Sequence, residues 1–161
     1  MERCVTLRTP VGAMTLTATD EAITALRFAA SESAGVGDVG VLDRKEPLTP
    51  LMQRAVQELQ EYFAGVRRKF DLPLAPAGTP FQQSVWAALQ EIPCGETRTY
   101  GQIAARIGRP KACRAVGMAN NRNPIAIIVP CHRVVGASGA LVGYAAGLPV
   151  KERLLALEQK M

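Results

Sequence analysis

The chain has 161 residues, enough for one ordinary domain or two small ones, and 48% of them are apolar, which supports a sizeable core. A formal charge of +5 leans towards polyanion partners without requiring one. No secretory leader, no bilayer-length apolar run and no C-x-x-C pair among the four cysteines set aside membrane insertion, a disulfide scaffold and structural zinc; a cytoplasmic protein with free thiols is expected.

In chain order, Cys4 to Arg8 alternates as a strand and Thr9-Pro10-Val11-Gly12 is a turn. Met14 to Thr19 is a second strand, Asp20-Glu21 a turn, and Ile23 to Phe28 a third strand. Ala29 to Pro50 is a loose stretch rich in Ser, Gly and Asp. Leu51 to Phe63 is an amphipathic helix with Leu51, Ala55, Val56, Leu59 and Phe63 on one side, closed by Gly65. Phe70 to Leu74 is extended, and Ala75-Pro76-Ala77-Gly78 is a linker.

A second, mainly helical unit follows. Thr79, Pro80 and Gln82 form an N-cap, a first-turn proline and a capping box, and the helix carries Phe81, Val85, Trp86 and Leu89. Ile92 to Gly95 breaks it. Tyr100 to Ile107 and Lys111 to Ala119 are short helices joined by a Gly108-Arg109-Pro110 turn, the pattern of a helix-turn-helix. Asn120 to Asn123 is a polar loop and Ile125 to Val129 a short buried strand ending on Pro130-Cys131-His132-Arg133. Gly136 to Gly147 is loop, and Pro149 to Gln159 a closing helix. The fold class is α/β, a small antiparallel sheet with a helix to about residue 76, then a helical domain from residue 77 to 161.

Charge is unevenly spread. Thr97 to Val150 contains no Asp or Glu, yet holds Arg98, Arg106, Arg109, Lys111, Arg114, Arg122 and Arg133. That suits a phosphate-facing surface, or a solvated region whose acids lie elsewhere. Ala112, Cys113, Ala115, Gly117 and Ala119 make the second short helix small-faced, with Arg114 among them. Such a helix can approach a groove closely while one cation reaches in, or it can pack tightly inside the protein with Arg114 snorkelling outwards.

Cys131 stands beside His132, the chain's single histidine. A thiol must lose its proton to attack quickly, and an imidazole can take it. Neighbours in a strand point to opposite faces, so a turn at Pro130 is needed to join them. Without one, Cys131 is a buried thiol beside a core histidine. Glu158 follows Leu154 and Leu155 on the closing helix, where a half-buried carboxylate would seek His132; a frayed last turn is the other reading.

Pro130-Cys131-His132-Arg133-Val134-Val135 resembles the active-site signature of the O6-alkylguanine-DNA alkyltransferases, in their bacterial form. Thr79 to Gln82 with Val85-Trp86, Ile92 to Thr97, Tyr100, Lys111 to Gly117, Asn123-Pro124, Gly143-Tyr144, Gly147-Leu148 and Lys151 to Glu158 surround it in the family's order. The likeness is dense from Thr79 to Glu158 and thinner at Phe70 to Leu74 and Thr9 to Gly12.

The resemblance implies a ribonuclease H-like subdomain at 1–76 and an alkyltransferase, DNA-binding domain at 77–161. It implies one irreversible transfer of an alkyl group from O6 of guanine in duplex DNA to Cys131, by a monomer working from the minor groove with neither cofactor nor metal. His132 would be the base, acting through a water, and Glu158 its orienter. Tyr100 would donate to guanine N3, and Asn123 would tie the helix-turn-helix to the active-site strand. Arg114 would fill the space left by the flipped nucleotide, with Thr99, Ala115, Gly117 and Arg122 also on DNA. Tyr100, Val134, Tyr144 and Ala145 would line the guanine pocket, with backbone groups of Cys131, Val134 and Ala145 facing the base. Eukaryotic members carry a zinc site of N-terminal Cys and His; the single histidine here is already assigned. Ala145 and Ala146 replace the Ser or Gly of many relatives, Ala126 a Pro and Asn120 an apolar residue, which bears on substrate breadth and groove contacts. Two other classes fit parts of the pattern: a lesion-binding relative, which would lack the acceptor cysteine, and a Cys-His hydrolase, which would need an oxyanion hole.

Overall fold

A computed structural model describes residues 1–29, 37–43 and 47–161. The expected loose stretch falls largely on 30–36 and 44–46, outside the described residues. The chain divides into two compact units, Met1–Pro76 with Met161, and Ala77–Lys160.

The first unit is a four-stranded antiparallel sheet and one helix. The strands are β1 (Arg3–Thr9), β2 (Gly12–Ala18), β3 (Ile23–Phe28) and β4 (Gly40–Asp43), in the order β3-β2-β1-β4. Alternation sets the register: Val5, Leu7, Met14, Leu16 and Ala18 are buried, while Thr6, Arg8, Thr15 and Thr17 between them are only half-buried. The β1–β2 turn closes on Gly12 at φ +113°, and the Thr9 hydroxyl donates to the Gly12 carbonyl at 2.6 Å. Helix α1 (Pro50–Phe63) is capped by Thr49, whose hydroxyl accepts from the Met52 amide, and buries Leu51, Met52, Ala55, Val56, Leu59 and Tyr62. Strand β4 lies inside the expected loose stretch. Its four residues carry little β signal, and only pairing with β1 makes them a strand.

The second unit holds the remaining helices. α2 (Pro80–Gln90) starts with the expected Thr79–Gln82 capping box. Its Trp86 indole donates to the Ala119 carbonyl at 2.9 Å, and a Cβ on Gly78 would collide with the Trp86 ring, so glycine is required there. α3 (Tyr100–Arg106) has its own capping box from Thr99 and Gln102 and stops at Gly108, φ +78°. α4 (Cys113–Asn121) completes the helix-turn-helix. It begins two residues later than expected and takes in Asn120 and Asn121, which the sequence places in a loop. β5 (Arg98–Thr99) pairs in parallel with β6 (Val134–Val135), and α5 (Leu148–Gln159) closes the unit.

Ile125 to Val129 is not the strand expected from its apolar run. It is a buried series of turns with Ile127 at φ +70°, where a β-branched residue is strained. The Asn123 side chain does the work a neighbouring strand would do. Its carbonyl accepts from the Ile125 amide at 3.0 Å, and its Nδ2 donates to Val129 O at 2.8 Å and Ile125 O at 3.3 Å. Buried backbone groups need partners, and here one side chain supplies them. No helix among the described residues is long and apolar enough to cross a membrane.

Candidate active site

The turns from Pro124 to Pro130 feed a short 3-10 helix, Cys131–Arg133, so Cys131 does not sit at a strand end. All three residues of this helix are buried, His132 completely.

α5 meets this turn with one buried face, carrying Lys151, Leu154 and Glu158 at helical spacing. Glu158 Oε2 lies 2.6 Å from His132 Nε2. Arg133 grips the same carboxylate with both ends of its fork, Nε to Oε1 at 2.8 Å and Nη2 to Oε2 at 3.0 Å, and donates Nη1 to the Ile92 carbonyl at 2.7 Å. Burial alone would raise the Glu158 pKa. The hydrogen bonds and charges of His132 and Arg133 outweigh it and hold the carboxyl down to about 2.

The tautomer follows from these facts. Glu158 is an anion that can only accept, so His132 Nε2 must carry the proton. Burial, aided by the positive charges of Arg133 and Lys151, lowers the His132 pKa despite Glu158, so the ring is neutral near pH 7. Nδ1 is therefore a bare acceptor. It is buried and has no hydrogen-bond partner among the described residues.

Cys131 is a protonated thiol at rest, because burial raises its pKa. Hydrogen bonds from Asn123 and Tyr144 and the positive charge of Lys151 work the other way, favouring the thiolate. Tyr144 and Tyr100 both feel that sulfur. Burial first, then the Cys131 charge, raises both phenol pKa values, so each stays a donor at neutral pH. Tyr100 is half-buried and donates to the Val142 carbonyl at 3.3 Å.

The sequence pattern includes Lys151 in the closing helix and gives it no role at the site. It is fully buried and donates Nζ to Val134 O at 2.6 Å, Val142 O at 3.1 Å and Gly143 O at 3.4 Å. It thus ties β6 to the loop before Tyr144, and shares the Val142 carbonyl with Tyr100. Its position three and seven residues ahead of Leu154 and Glu158 was the available signal.

Three cations of the acid-free stretch are paired with carboxylates. Arg133 is no phosphate-facing cation; it is the clamp on Glu158. Arg98 and Arg106 are matched by acids just ahead of the acid-free stretch, Glu96 at 3.1 Å and Glu91 at 2.7 Å. Asn120, expected in a polar loop, is buried and donates to the Cys131 carbonyl at 3.3 Å, so it braces the Cys131 turn. Arg114 and Ala115 are exposed on α4, Arg122 is exposed at its C-cap, and Gly117 lies against the Tyr100 ring. Thr99 caps α3. Val134 is buried in β6, and Ala145 is exposed in the loop after Tyr144.

Residues 80–160 match the family described as 6-O-methylguanine DNA methyltransferase, DNA binding domain, and residues 3–76 match its ribonuclease-like domain. This chain belongs to the 6-O-methylguanine DNA methyltransferase family. A Methanosarcina acetivorans methylated-DNA–protein-cysteine methyltransferase is 54% identical over 149 residues, 92% of this chain and 93% of that protein. The constitutive Bacillus subtilis methyltransferase of the same name is 47% identical over 160 residues, 99% of this chain and 96% of its own. The crystal structure of Mycobacterium tuberculosis OGT in complex with DNA superposes with a TM-score of 0.83 at 46% identity, covering 99% of this chain and 92% of that one. In the structure the Cys131 turn carries the His132–Glu158–Arg133 network, and Tyr100 and Lys151, which share the Val142 carbonyl, both interact electrostatically with the Cys131 sulfur.

Proposed function

We propose that this chain repairs DNA by direct reversal, moving the alkyl group of O6-alkylguanine onto its own Cys131 in a single irreversible turnover. It is a methylated-DNA–protein-cysteine methyltransferase. The observation that carries the assignment of residues is the bare Nδ1 of His132, held as an acceptor by an ionised Glu158, on the residue next in the chain to a protonated, buried thiol.

The Cys131 proton passes to His132 Nδ1, through one water. The imidazolium so formed is stabilised by Glu158. The Lys151 charge and the Asn123 and Tyr144 donors favour the thiolate over the thiol. The sulfur attacks the alkyl carbon in line, an S–C bond forms, and the C–O6 bond breaks with its electrons moving into guanine. Tyr100 donates at N3 and offsets that charge. The Ala145 backbone N–H faces O6. Nothing in the site can cleave a thioether, so each molecule acts once.

The target atom lies inside the base stack, so the nucleotide must be flipped out. α4 is the element that does this from the minor groove: Arg114 fills the gap, Ala115 and Gly117 permit close approach, and Thr99 and Arg122 hold the backbone. The protein works as a monomer in the cytoplasm. Replacing Cys131 by Ser tests the assignment. An alcohol is almost never ionised at neutral pH, so uptake of labelled methyl from DNA should vanish while DNA affinity stays within about threefold. Methyl uptake by the serine variant would make another cysteine the acceptor. A Cys-His hydrolase would instead turn over repeatedly and retain no alkyl group.

A further inference from the structure

α4 presents more than cations. Met118 is 60% exposed, the most exposed large apolar side chain of the helical unit. It lies four residues after Arg114 and four before Arg122, both also exposed, so the three side chains follow one another along the same helix face. Neither guanidinium has an ion-pair or hydrogen-bond partner among the described residues. Met118 also lines a groove of about 240 Å³ with Phe81, Ala115, Ala119 and Arg122, and none of the residues around Cys131 contributes to it. The Arg109 guanidinium lies 5.8 Å from the centre of the Phe81 ring. The outer face of α4, together with Phe81 of α2 and Arg109 of the preceding turn, thus offers an apolar centre of Met118, Phe81 and Ala115 with Arg109, Arg114 and Arg122 around it.

We infer that Met118 is an apolar wedge, entering the DNA minor groove beside Arg114 and prying at the adjoining base steps so that the damaged nucleotide leaves the stack more readily. The inference rests on the proposal that α4 lies in the minor groove. The chemistry matches that surface: the rim cations face phosphates, while the floor and walls of the groove offer deoxyribose and base edges that an unbranched thioether can press against. Four residues of helix span about 6 Å, close to two base steps, so Met118 works next to the gap that Arg114 fills rather than in it. An apolar contact of this kind adds affinity without releasing counterions.

The experiment measures duplex binding over a range of salt concentrations for the wild type and for Met118→Ala, Met118→Leu, Arg114→Ala and Arg122→Ala. The duplex carries O6-methylguanine with 2-aminopurine in the flanking steps to report unstacking. Met118→Ala should bind roughly tenfold more weakly at every salt concentration, with an unchanged salt slope and less 2-aminopurine brightening. Met118→Leu should keep most of both. Each arginine variant should lose affinity with a slope reduced by about one. Met118→Ala with wild-type affinity and brightening, beside weakened arginine variants, would overturn the wedge and leave α4 as the DNA face. Wild-type behaviour in all the variants would remove α4 from the DNA and overturn both.

Discussion

Replacing Glu158 by Gln isolates the charge that sets up the base. The carboxylate accepts from His132 Nε2 at 2.6 Å and from two nitrogens of Arg133 at 2.8 and 3.0 Å. It is 1% exposed, so solvent screens little of this. Holding the carboxyl at about 2 instead of the usual 4.5 corresponds to about 3 kcal/mol favouring the charged form. An amide keeps the shape but cannot accept from both partners with both atoms. If its NH2 faces His132, two donors collide and the ring must move its proton to Nδ1, which ends its use as a base. If its NH2 faces Arg133, a buried cation loses part of its partner. Folding stability should fall by about 3 kcal/mol, and alkyl transfer in a single turnover should slow on the order of 100-fold or more, with DNA affinity within about threefold of wild type. The thiol pKa, read from the pH dependence of iodoacetamide reaction, should rise. The pH dependence of stability gives a second reading. Both His132 and Glu158 have folded pKa values below their unfolded ones, so the unfolded state binds more protons and stability falls on acidification. The His132 contribution begins to fade below about pH 6.5, and that of Glu158 is lost from about 4.5 down to about 2. Glu158→Gln should erase the lower limb. Wild-type transfer with an unaltered lower limb would refute the reasoning and reduce Glu158 to a packed helix-end acid.

Arg114→Ala should slow repair of duplex far more than reaction with the free base O6-benzylguanine, because flipping takes a few kcal/mol that only duplex demands. Equal losses on both would put Arg114 in the pocket. Lys151→Met should remove the Nζ donor from the carbonyls of Val134 and Gly143, leave that of Val142 with Tyr100 alone, and remove a cation near the sulfur. Its thiol pKa should move further up in the iodoacetamide profile; an unmoved profile would confine Lys151 to holding the loop.

Local chemistry was readable from the chain. The Thr79–Gln82 capping box, the β1–β2 turn and the third strand depend on residues a few positions apart. The misreadings share a cause, which is that the deciding contact comes from far along the chain. β4 exists because β1 pairs with it. Ile125 to Val129 has strand composition, yet Asn123 satisfies its backbone and lets it coil. Charge counting put Arg133 on the surface, since a guanidinium gives no sequence signal of burial until its carboxylate, twenty-five positions on, is known. Residue type alone pairs His132 with Glu158, but the backbone that carries Cys131 and His132 is a 3-10 helix that the apolar run conceals.

The most direct test is a mass measurement after incubation with a duplex holding one O6-methylguanine. Transfer to Cys131 predicts one methyl group per protein molecule, located by fragmentation on the peptide containing Cys131, with guanine restored in the DNA and no second turnover when fresh duplex is added. A methyl group on Cys4, Cys94 or Cys113, or repaired DNA with unmodified protein, would contradict it.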